Sequence, residues 1–193
     1  MYSDYNHATI ADQRATYDGR PQKLDAWVIW LPGLGESGKR WSHLQVTCSL
    51  PWIKWSFPDE AMATLTLTPP LRFIRPEGIA SNEPQGLASA VSAVHAMLAQ
   101  AEAMGYPSQR IVLGGFGQGA ALAVRAARTY PRPLAGIVMF SGWVPVAPCP
   151  SSEANASTPV LLCHGTNDGT VSHTLLKEVC EPDLQTPTRK SEL

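Results

Sequence analysis

Cysteine, charge and long apolar runs are all scarce in this chain, and each scarcity removes a class of protein. Four cysteines in 193 residues, Cys48, Cys149, Cys163 and Cys180, show no Cys-x-x-Cys or other metal-ligand spacing. Disulfide scaffolds and zinc modules are set aside, free thiols in a reducing compartment are expected, and no metal or cofactor is implied. Charged residues make up 16% and the formal net charge is -1. Lysines and arginines form no stripe and do not alternate with aromatic residues, so no nucleic-acid partner is expected. No apolar run approaches membrane-spanning length and the polar N-terminus lacks a signal-peptide core, which implies no transmembrane segment and a cytoplasmic protein. The C-terminal Lys190-Ser191-Glu192-Leu193 and the sequon Asn155-Ala156-Ser157 are taken as chance. The length and the 44% hydrophobic content suit one globular domain with a real core.

What is present centres on Arg110 to Arg128. The apolar run Ile111-Val112-Leu113 enters four glycines, Gly114, Gly115, Gly117 and Gly119, and leaves into alanine-rich sequence. Strand, tight turn and helix are predicted, with first-turn amides pointing at whatever lies above the turn. Gly115-Phe116-Gly117-Gln118-Gly119 has the Gly-x-Ser-x-Gly frame of a nucleophile elbow with glycine in place of serine. Extended to Ala120, the same residues also read as Gly-x-Gly-x-x-Ala, a dinucleotide fingerprint. That alternative needs an acid about 20 residues on, ending the next strand, and no Asp or Glu occurs between Ala120 and Ser152. It therefore ranks as the lesser reading.

Along the chain, residues 1–25 form a polar N-terminal segment, 26–180 a folded domain and 181–193 a tail expected to be disordered. Ala26 to Leu31 is strand-like and continuously apolar, and runs into the glycine-rich Pro32 to Gly38. A helix is expected over Arg40 to Leu50 and a strand within Pro51 to Pro58. Asp59 to Asn82 resembles a surface excursion or lid. Leu87, Val91, Val94 and Leu98 mark a helix ended by Gly105-Tyr106-Pro107, with His95 packed or solvated on it. Strands follow at Leu134 to Phe140 and Pro159 to His164, then a short helix from Ser172 to Val179. Alternating strands and helices imply an α/β fold with a doubly wound, mostly parallel sheet.

These pieces in this order resemble the acyl-protein thioesterase and phospholipase/carboxylesterase family of α/β-hydrolases. The resemblance is carried by Trp30-Leu31-Pro32-Gly33-Leu34-Gly35-Glu36-Ser37-Gly38, by Ser108 to Gly119, by Ser141-Gly142-Trp143-Val144-Pro145 and by His164-Gly165-x-x-Asp168-x-x-Val171. It implies that Gly117 stands at the nucleophile position, Asp168 is the triad acid, and the backbone amides of Leu34 and Gln118 form the oxyanion hole. Substrates would be S-palmitoylated proteins, lysolipids or small carboxylic esters.

Three departures accompany the resemblance. Gly117 has no hydroxyl, Pro32 replaces the family's motif histidine, and no residue is identified as the triad histidine. His7, His43 and His95 are misplaced, His164 precedes its own motif and His173 follows Asp168 too soon. The sequence thus reads as a C-terminally truncated hydrolase with impaired catalysis, the alternative being a non-catalytic pseudoenzyme that binds an acyl chain or a partner. Cys163, Ser37 and Ser141 are the substitute nucleophiles within range of the motifs. Truncation would leave a sheet edge unpaired, so self-association through that edge is expected.

Overall fold

The computed structural model describes residues 16–17, 20–21, 25–59, 86–144, 152–171, 173 and 188–192. Near the N-terminus β1 (Thr16–Tyr17) pairs antiparallel with β2 (Arg20–Pro21). The main sheet comprises β3 (Ala26–Leu31), β4 (Ile53–Ser56), β5 (Ile111–Phe116), β6 (Gly136–Phe140), β7 (Val160–His164) and β8 (Thr188–Glu192). Its order is β4-β3-β5-β6-β7-β8, and every pairing is parallel. All its strands therefore end on one side, where loops gather over the carboxyl edge.

Helices α1 (Gly38–Trp41) and α2 (His43–Thr47) follow β3, α3 (Leu87–Ala103) precedes β5, and α4 (Gln118–Thr129) follows it. The single helix expected over Arg40 to Leu50 is divided at Ser42, whose amide and hydroxyl both turn back onto the Lys39 carbonyl. Such local bonding competes with helix continuation. In α3 the buried residues Leu87, Ala90, Val94, Leu98 and Ala101 recur at helical spacing. The helix ends as Gly105-Tyr106 predicted. Gly105 takes φ 92, its amide donates to the Glu102 carbonyl, and that of Tyr106 donates to Ala101, a Schellman closure.

Helix α4 is buried from Gln118 to Ala127, wedged between the sheet and α3. Alanines make this approach feasible, because the helix axis comes closer to the strands than leucines would allow. The closest approach falls at two glycines. A Cβ on Gly119 would overlap the carbonyl oxygens of Leu31 and Pro32, and one on Gly115 would overlap the Gly119 backbone. Fully buried Ile29, Leu31, Ile111, Leu113, Leu122 and Met139 fill the core around them. His95 is packed as expected, its Nε2 2.9 Å from the Ala126 carbonyl oxygen and 3.2 Å from the Thr129 hydroxyl.

The tail corrects one expectation. Thr188–Glu192 is a strand rather than disordered chain, and it pairs with β7. The physical reason is that a strand edge offers backbone donors and acceptors to any extended segment, whereas composition reports only the absence of apolar side chains. The edge of the sheet on this side is then β8 itself. Asn155 of the sequon is buried, its amide donating to the Tyr130 and Arg132 carbonyls and its oxygen accepting from the Leu134 amide and the Thr158 hydroxyl. The lid Asp59 to Asn82 beyond Asp59, and the helix Ser172 to Val179 apart from His173, lie outside the described residues.

Candidate active site

The site begins where β5 stops. Gly117, the residue between β5 and α4, has φ 54 and ψ -116, a combination costly for any residue with a Cβ. Its amide donates to the Phe140 carbonyl at 2.8 Å, and its own carbonyl accepts from Ala121 at 3.2 Å. The turn is thereby tied to the neighbouring strand and to the first turn of the helix. Among the described residues, a Cβ added to Gly117 has nothing within 4 Å, in contrast to Gly115 and Gly119. The corner is rigid beneath and open above.

Gly33 to Glu36 forms a turn, closed by the Glu36 amide donating to the Gly33 carbonyl at 3.1 Å, with Gly35 at φ 71. The Glu36 carboxylate reaches back to accept from the Gly33 amide at 3.2 Å and from the Trp41 indole at 2.9 Å. Trp41 rests on Phe116 with ring centroids 5.1 Å apart. This chain of contacts fixes the loop carrying Leu34 against the end of β5. Leu34 itself is 53% exposed, so its side chain rims the site while its amide belongs to the turn.

Asp168 closes the other side. Its Oδ1 accepts from the amides of Thr170 at 2.8 Å and Val171 at 3.0 Å, and the Ser141 hydroxyl donates to the same carboxylate. Burial works to raise this carboxyl, but those donors and the adjacent His164 outweigh it and hold Asp168 below the usual carboxylate range. Ser141 sits at φ 47 beyond β6, its amide donating to the Cys163 carbonyl at 3.0 Å. Strain of this kind in a non-glycine residue is maintained only where surrounding bonds over-determine it.

Leu34, Gly117, Gln118 and Asp168 line one cavity of about 330 Å³, with Gly33, Glu36, Phe116, Ser141, Trp143, Thr170 and Val171 completing its wall. The four residues singled out in the sequence therefore meet in space. A second cavity, beside Trp27 and Met97, holds none of them. Neither Ser37 nor Cys163 borders the first cavity, and burial pushes the Cys163 thiol up, away from the thiolate. His164 is buried and uses its Nε2–H on the Val171 carbonyl at 2.8 Å. The His173 ring lies 6.0 Å from it, centroid to centroid. No histidine is among the described residues of the wall.

A model of the phospholipase/carboxylesterase family matches residues 18–189. The chain belongs to that family. Acyl-protein thioesterase 1 of Schizosaccharomyces pombe is 34% identical to it over 160 residues, covering 78% of this chain and 71% of the relative. Acyl-protein thioesterase 1 of Cryptococcus neoformans var. neoformans serotype D is also 34% identical, over 77% of this chain and 68% of that protein. Among solved structures, Arabidopsis thaliana SOBER1 superposes with a TM-score of 0.69 at 26% identity, covering 86% of this chain and 88% of the other.

Membership in the phospholipase/carboxylesterase family agrees with the α/β-hydrolase architecture. It leaves the dinucleotide reading of Gly115 to Ala120 without support. That reading also meets a physical objection, since among the described residues Glu36 and Asp168 line the cavity and no basic residue does, a poor setting for a pyrophosphate. Among the described residues, no helix is long and apolar enough to cross a membrane. Sequence reasoning missed the roles of Glu36 and Ser141. A carboxylate three residues after a glycine was the available signal for the first. The contact of Ser141 with Asp168 depends on loop paths that no local pattern encodes.

Proposed function

We propose that the cavity over Gly117 takes the carbonyl of an S-acyl thioester or carboxylic ester. The Leu34 and Gln118 amides face its oxygen, and Asp168 acts as the acid of an incomplete triad. S-acylated cysteines on proteins, lysolipids and small esters are the substrate classes, in keeping with the acyl-protein thioesterases among its relatives. The observation that carries this is the convergence of Leu34, Gly117, Gln118 and Asp168 on one cavity wall.

Turnover is proposed to be weak. A positioned pair of amides stabilises the tetrahedral oxyanion without a serine, and such a residue of catalysis amounts to roughly 10³–10⁴ over the uncatalysed reaction, on the order of a million-fold below a complete triad. Water is then the nucleophile.

Initial rates of p-nitrophenyl butyrate hydrolysis test the reading. They are expected to saturate with ester and to be inhibited competitively by a short S-acyl-cysteine peptide. Rates strictly proportional to ester concentration, unaffected by the peptide, would refute it.

A further inference from the structure

We propose that the space between Gly117 and Asp168 is a binding site for a small neutral azole with one N–H, imidazole being the simplest, and that the bound ring serves as acyl acceptor. The proposal rests on the hydrolase reading above and adds to it a ligand and a transfer step.

Three observations carry it. The first is steric, because a Cβ at Gly117 has nothing within 4 Å among the described residues, so a flat ring is accommodated over the turn. The second is a count of acceptors at Asp168. An ionised carboxylate offers about four lone-pair sites, and the described donors to this one are the Thr170 and Val171 amides and the Ser141 hydroxyl. His164 Nε2, at 3.6 Å from Oδ2, donates elsewhere. Among the described residues, one acceptor site of Asp168 thus remains for a ligand N–H.

The third observation is charge and surface. Among the described residues the wall carries the carboxylate of Asp168, that of Glu36, which is paired with Arg40 at 3.5 Å, and no basic side chain, while Phe116, Trp143 and Val171 supply apolar area. Anionic nucleophiles are repelled by such a wall, and a neutral ring with one donor and one lone pair suits it. With its N–H on Asp168, the opposite ring nitrogen has its lone pair free to face an acyl carbon held at the Leu34 and Gln118 amides.

In the transfer step the ring nitrogen attacks the acyl carbon and a C–N bond forms, the carbonyl electron pair moving onto the oxygen. Collapse breaks the C–O bond and expels p-nitrophenolate. The ring N–H proton passes to the Asp168 carboxylate and on to solvent. Water then hydrolyses the N-acyl azole, returning imidazole and releasing the carboxylic acid.

The experiment measures p-nitrophenyl butyrate hydrolysis by the full chain against imidazole concentration near pH 8, where a ring with a pKa of about 6.5–7 is neutral. The rate of imidazole without protein is subtracted. The expected result is a saturable acceleration of at least about ten-fold, a small part of what holding two reactants together in one site can supply. N-methylimidazole, which has no N–H to give Asp168, is expected to produce little of it. Gly117→Ala, which fills the space, should abolish the effect, and the N-methyl comparison stands even if that variant folds poorly. Acceleration that is linear in azole and equal for both azoles would overturn the site while leaving ester saturation, and so the hydrolase reading, intact. Loss of ester saturation itself would overturn both.

Discussion

His164 Nε2 stands 3.6 Å from Asp168 Oδ2, yet its hydrogen goes to the Val171 carbonyl at 2.8 Å. The imidazole beside Asp168 is therefore a strut for the turn that carries it. Replacing it should cost stability more than turnover. His164→Ala leaves the Val171 carbonyl unpaired in a buried place and is expected to destabilise by about 1–3 kcal/mol, read from urea unfolding. His164→Gln, which keeps a donor, should recover part of this, with ester hydrolysis within a few-fold of the parent chain.

Gly117→Ser restores the missing hydroxyl. The added Cβ has room, so the cost is backbone strain at φ 54, on the order of 1–3 kcal/mol. Because no histidine among the described residues borders the cavity, none of them offers the hydroxyl a base, and kcat/KM for p-nitrophenyl butyrate is expected to rise by less than about ten-fold. A gain of thousands would reveal a base within reach.

Gly119→Ala tests the seat of the helix. Its Cβ would run into the Leu31 and Pro32 carbonyl oxygens, and backbone atoms cannot step aside as a flexible side chain would. A loss of about 3 kcal/mol or more is expected, visible as a sharply lowered melting temperature or absence of soluble protein.

Asp168 gives stability a definite pH dependence. Its folded pKa lies below the value in the unfolded chain, so its contribution is fully present above the unfolded pKa and is lost as pH falls through the folded one. Glu102 titrates in the same direction, since hydrogen bonds from Arg132 and Tyr130 outweigh its partial burial. Urea midpoints from pH 7 down to pH 3 should therefore fall for the parent chain and fall less steeply for Asp168→Asn, the difference being the share of Asp168.

Legibility followed the range of the forces involved. β3, β5, β6 and β7 were visible as continuous apolar runs, apolar even at exposed Leu161 of β7, and α3 was visible from its spacing. The elbow was legible because a strand cannot turn so sharply into a helix without small residues. Leu34, Gln118 and Asp168 came from ordered motifs, and the cavity brings them together. The break at Ser42, the pairing of Thr188–Glu192 with β7 and the hydroxyl of Ser141 on Asp168 were not legible. In each case backbone atoms or a short polar side chain decide the outcome, and these leave no hydrophobic periodicity behind.

The seating of Gly119 against the carbonyl oxygens of Leu31 and Pro32 joins the loop of Leu34 and the helix of Gln118 into one mechanical piece. The distance between the loop of Leu34 and the helix of Gln118 is set by that abutment, whatever side chain residue 117 bears. The spacing at this corner is thus set apart from the residue that would do chemistry on it, and a side chain at 117 strains only its own backbone, at φ 54.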